Sequence, residues 1–264
     1  SPEEAIVCTC EMCGCDVAVS LATSQPPPGA DQGQSQEPSP GTDIVVSEVD
    51  EVDALIAEML SLDEIKDRPA PRYLIKGLLN LDSESWLIGA PGSKKSFAAL
   101  DMACHVARGD PWQGFAVTRA VVIVIAAEGA GGLGRRVRAW ERAHGPLPTD
   151  VHVLPRPVQA ANGPAWKVLE RACARLLAGR DGLVVIDTQA RVTVGLKEND
   201  ATDMGFYISA VGDIRRATGA CVLTVHHTGR NGGDARGSSG IDGAQDTELK
   251  IKSTGKLSCS LSVE

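Results

Sequence analysis

The chain has no excess of positive charge, no long apolar run, no secretory leader pattern and no internal repeat. Its 26 Lys and Arg are outnumbered by 34 Asp and Glu, giving a net charge of -8, which argues against a surface that coats nucleic acid generically but leaves a local basic path open. No stretch reaches the length of a membrane-spanning helix, and no charged-then-apolar leader stands at the start. Together these absences lead to the expectation of a cytoplasmic protein with no membrane partner. The 264 residues hold one large α/β domain with something short attached. The start at Ser1 and the stop at Glu264, just after a strand-like segment, read as the ends of a fragment.

Eight cysteines are present, in two groups. Cys104, Cys173, Cys221 and Cys259 sit in apolar segments and are expected to be small buried hydrophobes. Cys8, Cys10, Cys13 and Cys15 form a tight CxCxxCxC cluster. Four thiolates are a Zn²⁺ ligand set, but no second knuckle follows and the spacing is cramped for one tetrahedral ion. A zinc site, the remnant of a metal module and a coincidence therefore all stay open. We read residues 1–20 as this Cys-rich segment. Residues 21–50, with Gln25-Pro-Pro-Pro-Gly and Gln36-Glu-Pro-Ser-Pro-Gly, are too polar and Pro-rich to bury a core and read as a disordered linker. Residues 51–264 read as the main domain, led in by an acidic helix over Val52 to Ile65.

From Arg72 onward strands and helices alternate. Strands are expected at 72–77, 85–89, 121–127, 151–154, 182–187, 220–226, 246–252 and 256–263, and helices at about 96–108, 131–144, 163–178 and 202–217. Uniformly apolar strands such as Val121-Val-Ile-Val-Ile-Ala-Ala127 require burial on both faces. The fold class is therefore α/β: a mostly parallel central sheet flanked by helices, ending in a C-terminal β-hairpin.

What is present at residue level is chemistry for phosphate. Gly89-Ala-Pro-Gly-Ser-Lys-Lys-Ser96 matches GxxxxGK[ST] except that Lys94 stands where the second glycine belongs. Trp86-Leu87-Ile88 runs into it as a strand, and Phe97 to Arg108 leaves it as a helix. Strand, glycine-rich loop and helix is the order in which backbone N–H groups and a helix N-terminus surround a phosphate. Residues Gly89, Ala90, Pro91, Gly92, Ser93, Lys94, Lys95, Ser96 and Phe97 form this cofactor-binding segment. In it Lys95 reaches the β- and γ-phosphates of ATP, and the Ser96 hydroxyl meets Mg²⁺.

In sheets of this kind ligands sit beyond the carboxyl ends of the strands. Leu183-Val-Val-Ile ends in Asp187, the pattern of a Walker B carboxylate that holds Mg²⁺ opposite Ser96. Val121–Ala127 ends in Glu128, which either orients the water attacking the γ-phosphate or is simply an acid at a helix start. Cys221-Val-Leu-Thr-Val ends in His226-His227; neighbours on a strand face opposite ways, so only one imidazole faces the nucleotide. The stretches 189–200 and 228–240 look like mobile loops carrying Arg191 and Lys197, then Arg230 and Arg236. Were the protein a ring, Arg191, Lys197 and Arg230 would grip single-stranded DNA; otherwise they are solvated loop charges.

Taken together these motifs resemble the RecA-like P-loop ATPases, most closely the RepA-like hexameric replicative helicase branch of plasmids, phages and actinobacteria. The likeness covers about Arg72 to the end. It rests on Gly89 to Phe97, Ala126-Ala-Glu-Gly with Gly-Leu-Gly-Arg-Arg-Val-Arg-Ala-Trp140, Val185-Ile-Asp-Thr, Val225-His-His-Thr-Gly and Ala235-Arg-Gly-Ser-Ser. The resemblance implies a RecA-like core that hydrolyses ATP with Mg²⁺ and moves along or remodels DNA as a hexameric ring. It implies catalytic roles for Lys95, Glu128 and Asp187, with His227 as γ-phosphate sensor and Arg236 as the arginine finger given to a neighbouring subunit. The branch accepts a residue other than glycine at the place of Lys94. Asp242-Gly-Ala-Gln245 stands where related sequences carry a further arginine. A RecA-fold ATP switch that assembles on DNA or a protein without unwinding is the alternative, and a P-loop kinase or transferase a weaker third.

Overall fold

The computed structural model describes residues 48–227, 245–254 and 259–263. The chain divides into two units, Ser1–Lys66 and Asp67–Glu264. In the first, the expected single lead-in helix is two, α1 (Glu48–Glu58) and α2 (Leu62–Lys66). The break has a local cause: Ser61 starts α2 with a reciprocal cap, in which Glu64 N donates to Ser61 Oγ at 3.3 Å and Ser61 N donates to Glu64 Oε2 at 2.7 Å.

The second unit is a sheet with helices on both faces. Its elements, in chain order, are β1 (Tyr73–Ile75), β2 (Leu79–Asn80), β3 (Glu84–Gly89), α3 (Lys95–Arg108), β4 (Val121–Ala126), α4 (Ala130–His144), β5 (Val151–Leu154), α5 (Gly163–Leu177), β6 (Gly182–Asp187), α6 (Gln189–Val192), α7 (Ala201–Thr218), β7 (Cys221–His227), β8 (Thr247–Ser253) and β9 (Cys259–Val263). Strands β1 and β2 pair as a small antiparallel ribbon. The other strands form a seven-stranded sheet in the order β5-β4-β6-β7-β3-β8-β9, parallel throughout except for the closing β8–β9 hairpin. This is the RecA-like α/β architecture. Strand β7 lies between β3 and β6, so the strand ending in the glycine-rich loop and the strand ending in Asp187 are not neighbours.

Strand parity decides which side chain meets which layer. Leu87, Val122, Val124, Leu183, Val185, Leu223 and Val225 pack with Met102, Ala103 and Val106 of α3. The alternate residues Trp86, Ile88, Ile123, Ile125, Val184, Ile186 and Val222 pack with Trp166 and Leu169 of α5 and with Met204, Tyr207 and Val211 of α7. Burying both faces in this way is what the uniformly apolar strands require. Two helices are set by explicit caps. Asn162 accepts from Ala165 N ahead of α5, and Asp200 accepts from Thr202 N and Asp203 N ahead of α7.

Several expectations shift. The two-residue strand β2 has too little pattern to be seen in the sequence. The stretch 189–200 is not wholly loop, since it opens with α6. Cys104, Cys173 and Cys221 are buried as expected, and burial pushes their thiols up to about 12, 11 and 11 respectively. Cys259 is not: it is exposed, because β9 is the sheet edge and its residues pair with β8 alone. Among the described residues no helix is long and apolar enough to cross a membrane.

Candidate active site

The glycine-rich loop begins as β3 ends. A side chain at Gly89 would meet the Ile251 carbonyl of β8 at 2.4 Å and Ser93 Oγ at 2.7 Å, so only glycine fits the turn out of the sheet. The chain then closes back through Ser93 N donating to Ala90 O at 3.1 Å, and Lys95 opens α3. Lys94 occupies the position just before that helix with φ 74 and ψ 20, the left-handed region natural to glycine. The missing glycine of the motif is therefore a real conformational demand, met by a lysine at a backbone cost of about 1–2 kcal/mol. Lys94 Nζ donates to Ser253 Oγ at 3.0 Å, joining the loop to the end of β8.

Lys95 is almost fully buried. Its Nζ donates to the carbonyls of Gly89 at 2.7 Å and Ala90 at 3.0 Å. Burial lowers its pKa to about 8, against the pull of Asp187 and Glu128. Ser96 Oγ donates to Asp187 Oδ1 at 3.0 Å, bringing the loop and the end of β6 together across the intervening strand. Burial pushes the Asp187 carboxyl above its ordinary range, opposed by the Ser96 hydroxyl and by Arg136, whose Nη1 stands 3.9 Å from Asp187 Oδ2.

The same parity that orders the core orders the site. Asp187 follows Leu183 and Val185 on the α3 face, and His227 follows Leu223 and Val225. His226 falls on the opposite face, fully buried, edge-on to Trp86 at 5.4 Å and with Nδ1 2.9 Å from Gln189 Oε1. It is the packing histidine of the pair. His227 Nε2 lies 3.6 Å from Glu128 Oε2. Thr188 Oγ1 donates to that same oxygen at 3.0 Å, and Glu128 N donates to Asp187 O at 3.0 Å. Burial alone would raise the Glu128 carboxyl, but the Thr188 hydroxyl, His227 and Arg191 outweigh it and hold the group below its ordinary range. A carboxylate held ionised at neutral pH is suited to accept a hydrogen bond from water. Two dipeptides, Thr188-Gln189 and His226-His227, are thus bridged at both ends, by Glu128 on one side of the sheet and by the Gln189–His226 contact on the other.

Lys95, Ser96, Glu128, Asp187 and His227 converge. Phe97 is exposed, with the Arg136 guanidinium 5.8 Å above its ring. Arg191, on α6, is exposed and near enough to Glu128 to act on its charge. Lys197 is also exposed, its backbone N–H donating to Asp203 Oδ2 at 2.8 Å. Arg230, Arg236 and the Cys8, Cys10, Cys13 and Cys15 cluster lie outside the described residues. Arg136, Thr188 and Gln189 are site residues that motif reading passes over. Arg136 lay in the quoted Gly-Leu-Gly-Arg-Arg run, and its distance along the chain from Asp187 hid the contact.

The sequence profile of the AAA domain matches residues 50–233, most of the chain. The protein belongs to the AAA domain family. No curated protein matches it. An AAA domain binds and hydrolyses a nucleoside triphosphate, ordinarily with Mg²⁺, and the loop of this one fits that ligand on three counts. The Ser93 hydroxyl is buried within the loop without a hydrogen-bond partner among the described residues. No side chain caps the N-terminus of α3, which leaves its backbone donors to an anion. Burial disfavours the charges of Lys95 and Asp187 despite Asp187 and Glu128 near the first and Arg136 near the second, so a phosphate beside Lys95 and a cation beside Asp187 would each be favoured. In this AAA domain, bound Mg²⁺ would be held by Ser96 and Asp187 and would neutralise phosphate charge.

Proposed function

We propose that this AAA domain is the motor of a DNA-dependent ATPase, a helicase or helicase-like replication factor nearest in kind to the RepA-like hexameric branch. It would work as a homo-oligomeric ring in the cytoplasm. The observation carrying the reading is the meeting of Glu128, Asp187 and His227, from three different strand ends, around Lys95 and Ser96. A bare phosphate cradle would serve any nucleotide enzyme; a carboxylate and an imidazole beyond it are what a hydrolytic, state-sensing site needs. Lys95 would bind the β- and γ-phosphates. Glu128 would hold the attacking water in line through an ionised oxygen already fixed by Thr188. His227, in reach of that oxygen, would register whether the γ-phosphate is present. Arg236 would complete a neighbouring subunit's site, and Arg191, Lys197 and Arg230 would contact the phosphates of a single strand.

The deciding experiment measures ATP hydrolysis with and without single-stranded DNA, beside native mass spectrometry with ATP. Stimulation by DNA and a hexamer mass are expected. Hydrolysis indifferent to DNA overturns the motor reading. DNA-stimulated hydrolysis without strand displacement on a forked duplex would identify the non-unwinding ATP switch instead.

A further inference from the structure

The C-terminal half of α3 and the end of α4 meet at three side chains that the phosphate site does not use. Asp101 and His105 lie one turn apart on α3, and His144 is the last residue of α4. Their ligand atoms all lie within 4.8 Å of one another. His105 Nε2 stands 3.5 Å from Asp101 Oδ1, and His144 Nε2 stands 3.7 Å from it. Neither ring is hydrogen bonded to that oxygen. The spacing is instead close to the separation of about 3.3–3.4 Å between adjacent ligand atoms around a tetrahedral ion with bonds of about 2.0–2.1 Å.

The surroundings hold each group in place. Trp140 Nε1 donates to Asp101 Oδ1 and Trp112 Nε1 to Oδ2, both at 2.8 Å. The carboxylate is thereby locked in orientation while each oxygen keeps a second lone pair. The His144 ring stacks on Trp140 at 4.7 Å, and His105 stands edge-on to both rings. His105 Nδ1, the ring nitrogen turned away from Asp101, is buried with no partner among the described residues, while Nε2 faces the carboxylate. Two helix C-termini add partial negative charge. Of the cations around it, Arg108 pairs with Asp110 at 2.6 Å and donates to the His144 carbonyl at 2.8 Å, while Lys94 and Arg136 line the adjoining cavity. Asp101 and His144, though not His105, also line a cavity of about 910 Å³ walled by Phe97, Trp112, Phe115 and Trp140, so a fourth ligand would enter from their side.

We propose that Asp101, His105 and His144 bind one divalent transition-metal ion of the Zn²⁺ class. Two imidazoles and a carboxylate select such an ion over Mg²⁺, which prefers an all-oxygen shell. The ion ties the far end of the helix that leaves the phosphate loop to the end of α4, the helix carrying Arg136.

Co²⁺ is the probe, added to the whole chain in excess Mg²⁺ so that the phosphate site is satisfied. The expected result is a Co²⁺ d–d absorption band without thiolate charge transfer, together with quenching of the Trp112 and Trp140 fluorescence, both reversed by Zn²⁺. His144 is partly exposed, so His144→Ala should keep the native circular dichroism and weaken Co²⁺ binding tenfold or more. His105→Gln should do the same. Changing Cys8, Cys10, Cys13 and Cys15 to Ser should leave the band and the quenching intact. The proposal is overturned if His144→Ala and His105→Gln fold and bind Co²⁺ like the wild type, or if the signals vanish with the four cysteines.

Discussion

At the scale of the residue, Lys95 is a lysine buried at the start of α3. A lysine in water loses its proton near 10.4, but burial brings this one to about 8. Its protonated form is then the one that phosphate must restore. ATP binding should therefore take up a proton as pH rises past about 8, and affinity should fall through that range. Calorimetry at pH 8.5 in buffers of different ionisation enthalpy should show this uptake in the wild type. Lys95→Ala should abolish it along with nucleotide binding, and a heat independent of buffer would count against the buried cation. The same depression means the unfolded chain holds the extra proton between about 8 and 10.5, so the unliganded fold gains stability as pH climbs through that window. Glu128 gives a second prediction. Glu128→Gln should keep ATP binding and slow hydrolysis by about 10²–10⁴-fold, whereas near-normal turnover would return the residue to the role of an acid at a helix start. Both residues were legible in the sequence because each ends a recognisable strand or loop. The roles of Arg136 and Thr188 were not: both lie inside recognisable motifs, but each acquires its role only from a partner that the sheet brings from far along the chain.

At the scale of the element, the sheet works as a parity device. Once α3 is fixed to one face, every second strand residue is committed to that face, and Asp187 and His227 follow without further specification. That is why the sheet and the ends of its strands could be read from the sequence, and why strand alternation alone left His226 and His227 open while the resemblance pointed to His227. What stayed hidden has a common physical origin. A two-residue strand such as β2 and a four-residue helix such as α6 are shorter than the stretches of about 4–8 and 11–18 residues over which strand and helix periodicity shows. Cys259 lies in a strand whose single neighbour leaves it exposed, a property of strand order rather than of composition. Strand order also makes Gly89 a test of how the loop is anchored. Gly89→Ala would drive a methyl group into the Ile251 carbonyl, 2.4 Å away, on the adjacent strand. The expected loss is about 2–3 kcal/mol of stability by urea unfolding, together with weaker nucleotide binding. A neutral outcome would mean that β3 and β8 are less tightly apposed than their register implies.

At the scale of the whole molecule, a chain of net charge -8 has to meet DNA through local cations rather than a general field. Of the proposed DNA contacts, Arg191 and Lys197 fall among the described residues, both exposed on the stretch that follows β6. Changing both to Gln should weaken single-strand binding and reduce the slope of log affinity against log salt by about 1.4, two contacts at about 0.7 each. Superimposable binding curves would remove that stretch from the DNA path. Arg191 also bears on how the two jobs of the proposed motor would be connected. The bridged pair of dipeptides at the ends of β6 and β7 has the form of a four-bar linkage: two stiff peptide bars, Thr188-Gln189 and His226-His227, and two side-chain struts. A shift of Glu128 when the γ-phosphate departs would pull on Thr188, the residue before α6, and Arg191 rides on that helix. The stroke would then be only one sheet thick, with no relay through the core between hydrolysis and grip.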